Sequence, residues 1–188
     1  IKHFSTGDGG MLVCRTPRDH LRAKRLRWFG IDKELRQRLN YNFSPSNREI
    51  CMNMDEPGFK LHMNDVQAAM GLVGLSHSDG TLLHRIVISN TYRRCLSGLI
   101  PFISGGSEWL FCVLLEDRDK GKMDKLKERG IECDLVHLRN DIFTPFGSKR
   151  QKLPNMNYIE SRYLYLPIHI NMSHEDAAFI SKELIKLI

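Results

Sequence analysis

At 188 residues, 41% hydrophobic and 27% charged, the chain has apolar side chains enough for one ordinary domain, or a small domain plus a piece of another, and its composition excludes disorder. The net charge of +6 and pI near 9.1 suit a polyanionic partner, whether a phosphate cofactor, a nucleotide sugar or a nucleic acid. No apolar run approaches the ~20 residues of a membrane helix, and no secretory leader is evident. Five cysteines, at 14, 51, 95, 112 and 133, include no Cys-x-x-Cys pair, so a reducing cytoplasm is expected rather than a disulfide framework or a structural zinc. The chain opens on Ile1 rather than Met, inside what reads as a motif, so a piece of a longer protein is expected.

In chain order, Met11-Leu-Val-Cys14 follows two glycines and predicts a buried strand that Pro17 ends. Asp19 to Phe29 places Leu21, Ala23, Leu26 and Phe29 at roughly helical spacing, with Gly30 as the stop. The basic run Arg15 to Arg27 reads as the solvated face of that helix in preference to a nucleic-acid patch. Residues 31–58 are polar, carry Pro45 and Pro57, and predict loop with at most short strands. Asn64 caps a helix with Val66, Ala69, Met70 and Val73 at helical spacing, which breaks at Gly80. A second helix is predicted over 81–96, weakened by the β-branched stretch Ile86-Val87-Ile88. Pro101 and Gly105-Gly106 mark a boundary. Beyond it come a strand over 109–115, a helix over 120–129 closed by Gly130, a strand over 131–137 and a polar loop over 140–158. A strand over 163–168 follows, then a helix opened by the Ser173–Asp176 capping box, with Ala177, Ile180, Leu184 and Leu187 on one side. That order predicts a small α/β domain.

The chemistry concentrates in Lys2-His-Phe-Ser-Thr-Gly-Asp-Gly-Gly10. A lysine near a terminus is ordinarily solvated, and a glycine turn ahead of a strand is ordinarily a turn. Together they are more specific, because a lysine that attacks an aldehyde must lose its proton beside a backbone that can approach closely. This segment resembles the cofactor-lysine motif of the DegT/StrS family of sugar aminotransferases. Gly58-Phe-Lys-Leu-His-Met-Asn-Asp-Val-Gln-Ala-Ala-Met-Gly71 is similar to that family's second hallmark. Arg25-Leu-Arg-Trp-Phe-Gly30, Gly130-Ile131, and Val136-His137-x-Arg139-Asn140-Asp141 resemble further stretches of it, in order along nearly the whole chain.

The resemblance implies the C-terminal half of a fold type I pyridoxal-phosphate-dependent transferase. Residues 1–105 would close the large cofactor domain and supply interface helices; residues 106–188 would form the small α/β domain. It implies pyridoxal 5'-phosphate as cofactor, with Lys2 both its covalent anchor and the proton carrier. His62 falls where the family commonly has a polar residue that reaches the phosphate of the neighbouring subunit, and Lys60 is a second candidate for that anion. His137, Arg139 and Asn140 either touch the sugar nucleotide or form a hydrogen-bonded structural loop. Asp65 and Gln67 read as cap and helix surface. The implied reaction passes an amino group from glutamate to a nucleotide-linked keto-deoxysugar, in a cytoplasmic homodimer with shared sites and no metal, nucleic acid or membrane. Two alternatives stand beside it. Relatives that deoxygenate the sugar carry His in place of the lysine, and His3 is adjacent, but moving the register by one residue spoils the spacing to Gly9-Gly10. A basic binding module is the other, and the chain shows no aromatic-interleaved basic strand or recognition helix.

Overall fold

The computed structural model describes residues 2–39, 45–118 and 120–188. Two compact units emerge, one of Ser5–Gly74 and one of Ile1–Phe4 with Leu75–Ile188.

In the larger unit, strands β1 (Phe102–Ile103), β2 (Phe111–Leu114) and β3 (Tyr163–Leu166) form an antiparallel sheet in that order. Phe102 pairs with Val113, and Phe111 with Leu166. Phe111, Cys112 and Val113 are buried in succession, so β2 is covered on both faces and reads as a continuous apolar run. Helix α5 (Ser78–Leu96) presents Ile88, Tyr92 and Leu96 to one core with Ala177, Ile180 and Leu184 of α8 (His174–Ile185). Each such aliphatic side chain contributes about 1.5–3 kcal/mol on burial. That burial outweighs the weak helix propensity of Ile86-Val87-Ile88, and α5 runs through them without a break. The chain turns at His77, so Gly80 lies in the first turn of α5 rather than at a helix end. Ser173 and Asp176 form the expected reciprocal cap of α8. Helix α6 (Lys120–Glu128) ends in a turn closed by Gly130 at φ +75°.

Two expectations fail in this unit. Residues 131–137 make no strand: Asp134 alone bridges Tyr165. The Asp134 carboxylate then accepts from the Leu135 N–H and Val136 turns to φ +26°, which ends the pairing. The loop over 140–158 contains 3-10 turns at Asn140–Ile142 and Thr144–Phe146 and the start of helix α7 (Pro154–Glu160).

The smaller unit is helical. Helix α1 (Pro17–Leu26) starts at Pro17, with the Thr16 hydroxyl accepting from the Asp19 N–H, and buries no residue. Residues 31–58, expected as loop, hold α2 (Lys33–Arg38), capped by Asp32, and α3 (Pro45–Met52). Helix α4 (Asp65–Ser76) opens where Asn64 and Gln67 exchange side-chain-to-backbone hydrogen bonds. The expected strand over 11–14 does not form: Met11, Leu12 and Val13 are 88%, 73% and 88% exposed. A strand needs a ladder partner, and among the described residues none lies beside this segment. Val66 and Val73 of α4 are likewise exposed.

Candidate active site

The residues singled out by the sequence fall into two groups, one in each unit. In the larger unit, Lys2 is exposed and its Nζ stands 3.5 Å from the centroid of the Trp109 ring. Among the described residues it has no carboxylate partner. His3 donates from Nε2 to the Ser107 carbonyl oxygen at 2.6 Å, which assigns that nitrogen the proton. The edge of His137 meets Trp109 at 5.5 Å between centroids, and His137 packs in turn on Tyr165 at 5.9 Å. Lys2 and His137 are therefore brought to the same indole. The Tyr163 hydroxyl donates to the His137 carbonyl at 2.5 Å and fixes the start of the 137–160 loop.

Arg139 is buried, its side chain 2% exposed, and all five of its N–H donors are engaged. Nε and Nη2 form a fork on the two oxygens of Asp141, Nη2 also reaches the Gln151 carbonyl, and Nη1 donates to Asn157 and Glu160. The fork lowers the Asp141 pKa, helped by the Gln151 N–H, and the carboxylates raise that of Arg139. Asn140 is exposed at the first position of its 3-10 turn.

In the smaller unit, the backbone of 59–61 pairs with 26–29, Phe59 N–H donating to Leu26 and Leu61 N–H to Arg27. This brings His62 edge-on to Trp28, 4.2 Å between centroids, while Lys33 Nζ sits 3.5 Å over the same ring. Two glycines permit the approach: a Cβ on Gly30 would stand 2.0 Å from the Glu56 carbonyl, and one on Gly58 2.3 Å from Gly30 N. The Nδ1 atom of His62 is buried without a hydrogen-bond partner. Burial first, then the charges of Lys33, Lys60 and Arg27, lower the His62 pKa; Asp65 opposes them. Lys60 is exposed. The turn Gly7-Asp-Gly9-Gly10 has Gly7 and Gly9 at φ +83° and +131°. Its Asp8 carbonyl accepts from Thr6 Oγ1 and from Gln67 Nε2, which ties the turn to the start of α4. Asp65 and Gln67 thus act at the helix end, as expected.

Trp109 and Lys33 escaped sequence reasoning, and Trp28 was read only as part of a family-like stretch, without its contact to His62. Trp109 was absorbed into the apolar run of β2, and its position directly after a Gly-Gly-Ser-Glu turn was the available signal. Among the described residues no cluster of three His, Cys, Asp or Glu could hold a metal, no helix is long and apolar enough to cross a membrane, and all five cysteines are free.

The model of the DegT/DnrJ/EryC1/StrS aminotransferase family matches residues 1–184. The spore coat polysaccharide biosynthesis protein SpsC of Bacillus subtilis is 31% identical over 193 residues, covering 93% of this chain and 48% of that protein. The dTDP-4-amino-4,6-dideoxy-D-glucose transaminase of Escherichia coli is 27% identical over 194 residues, 95% of this chain and 48% of the relative. The crystal structure of the sugar aminotransferase CalS13 from Micromonospora echinospora superposes with a TM-score of 0.84 at 23% identity, covering 99% of this chain and 49% of that one. The fold is thus that of fold type I pyridoxal-phosphate transferases, and the chain spans about half the length of the relatives it matches.

Proposed function

Because the chain belongs to the DegT/DnrJ/EryC1/StrS aminotransferase family, we propose that it is the lysine-bearing half of an enzyme that moves an amino group from glutamate to a nucleotide-linked keto-deoxysugar. Residues 1–105 then contribute the end of the large cofactor domain with its interface helices, and residues 106–188 the small domain. The observation that carries the reading is Lys2, an ammonium with no carboxylate partner among the described residues, directly ahead of the glycine turn. The names of the Bacillus and Escherichia relatives, for polysaccharide and amino-sugar formation, support the substrate class. His3 is tied to a backbone carbonyl, which speaks against the deoxygenating alternative, where a histidine would stand in for the lysine.

The residues present fit pyridoxal phosphate. Lys2 offers an amine that no anion holds in its charged form, and His62 offers a buried, unsatisfied ring nitrogen among three cations, a setting suited to phosphate. When bound, the cofactor supplies an electron sink for a carbanion. Lys2 would hold that group through Nζ, and once released from it would carry a proton to and from carbon. His62 and Lys60 would hold the cofactor phosphate of a partner subunit in a homodimer. His137 and Asn140 face the sugar nucleotide, and Arg139 serves it by fixing their loop. The cysteines remain thiols in a reducing cytoplasm. Borohydride reduction of the cofactor-loaded full-length protein tests the assignment: the label should be recovered on the peptide containing Lys2, and recovery on Lys24 or Lys60 refutes it.

A further inference from the structure

The first residues of the chain are held by the turn that precedes β2. His3 bonds to the Ser107 carbonyl and Lys2 rests on the Trp109 ring. That turn is pinned from α5. Arg85, 1% exposed, donates from Nη1 to the carbonyls of Glu108 and Trp109 at 3.3 and 3.1 Å. Arg93 donates to the Glu108 carboxylate and to the Ser104 hydroxyl. Glu108 takes φ +51°, a left-handed conformation that side chains adopt only where their surroundings over-determine it. Two arginines thus hold a strained residue next to the tryptophan that carries Lys2.

We infer that Trp109 is a positioning residue for Lys2. Whenever the lysine is not bonded to the cofactor, the indole face is the resting place of its ammonium, keeping Nζ at one point. The inference rests on Lys2 being the cofactor lysine. A carboxylate in that place would hold the ammonium strongly and leave too little neutral amine; with no partner, the chain would scatter over its rotamers. An aromatic face lies between these extremes and, at an exposed position, holds the cation by about two- to fivefold. The charged and titratable groups around the pair are His3 and Glu108 on the same turn, Arg85 and Arg93 from α5, His137 from the following segment and Tyr165 from β3. Arg85 opposes the protonated lysine, and the Glu108 carboxylate favours it but is engaged by Arg93. All are common to the variants compared below, so the difference between variants isolates the ring.

The test uses the full-length protein stripped of cofactor. Trace acetylation with acetic anhydride at one neutral pH, read peptide by peptide, gives the reactivity of Lys2 relative to that of Lys60 in the same molecule. In Trp109→Leu the relative reactivity of Lys2 should rise about two- to fivefold, as the contact that withdraws the amine is lost. Trp109→Phe should keep part of the effect, and a far-ultraviolet circular dichroism spectrum like the parent's reports an intact fold. A relative reactivity unchanged or lowered in Trp109→Leu overturns the inference, as does one in Trp109→Phe no different from that in Trp109→Leu. The labelling needs no cofactor, so failure of the cofactor assignment is read separately, from the borohydride label.

Discussion

Replacing Lys2 by Ala should separate chemistry from stability. The side chain is exposed, and its one described contact is the Trp109 face. A cation–π contact at an exposed position is worth about 0.5–1 kcal/mol. For a chain of this size, 1 kcal/mol moves the melting temperature by roughly 2–4 °C, so the variant should melt within about 4 °C of its parent. The reaction loses far more. Removing a positioned acid–base group alone costs about 100- to 10,000-fold, and loss of the covalent anchor adds to it. The assay is 2-oxoglutarate formation from glutamate with a panel of nucleotide-linked keto-deoxysugars, run on the full-length protein beside a thermal melt. Lys2→Arg should fail as fully, because a guanidinium stays protonated and cannot bond to the aldehyde. Turnover by Lys2→Ala within about tenfold of the parent would refute the reasoning. A melting point lowered by well over about 4 °C would do so too, because it would make Lys2 a structural residue.

Mixing Lys2→Ala and His62→Ala protomers of the full-length protein should restore activity in the hybrid if the two residues serve one site from different subunits; activity no greater than the sum of the parents argues against sharing. Tyr92→Phe should cost about 1 kcal/mol in urea unfolding, because the part-buried Pro167 carbonyl loses the donor that now lies 2.8 Å away. Arg139→Met and Arg139→Lys should both lower the urea midpoint, Lys failing to rescue because a point cation cannot replace the planar fork on Asp141. Stability should fall on acidification in two stages. Below about pH 6.5 His62, whose pKa is lowered in the fold, must take up a proton that the unfolded chain binds more readily. Below about pH 4.5 Asp141, held low by Arg139, and Glu160, held low chiefly by Arg150, lose what their ionised forms contribute. A flat profile from pH 7 to 5 would contradict the first stage.

The parts legible in the sequence are those whose signal is local. The Ser173–Asp176 box, the apolar run of β2 and the helix closed by Gly130 each carry cap, period and stop within a few residues. What escaped depends on distant contacts. Residues 131–137 alternate like a strand, yet the Asp134 side chain ends the pairing after one bridge. Helices α2 and α3 are short and polar, and α2 stands on its Asp32 cap rather than on periodicity. The segment 11–14 has a strand's composition and no ladder partner among the described residues. At the candidate site the motif supplied Lys2 and His62, whereas Trp109 and Trp28, the surfaces on which those two residues rest, became visible only when the fold brought together residues 107 positions apart in the first case and 34 in the second.

Charge and family resemblance alone do not separate a working cation from a structural one; the accounting of donors does. Arg139 stands in a motif loop and was a candidate for the substrate, yet Asp141, Glu160, Asn157 and Gln151 take all five of its N–H groups. A guanidinium so saturated has nothing left to offer a nucleotide without breaking a buried bond, and its loss would be felt as instability before it was felt as altered binding. Lys2 is the opposite case. Its ammonium has three donors and no carboxylate to receive them among the described residues, only a π-face that holds it weakly. His62 Nδ1 is buried with its capacity unspent. Unsatisfied polar atoms are costly to keep in a fold, so where they persist beside a glycine turn and a cluster of cations, the missing partner is best sought in a ligand. An added anion should therefore act on His62 and not on Arg139. Inorganic phosphate titrated into the full-length protein without cofactor should raise the midpoint of the His62 imidazole resonance, and an unmoved midpoint would remove phosphate from that position.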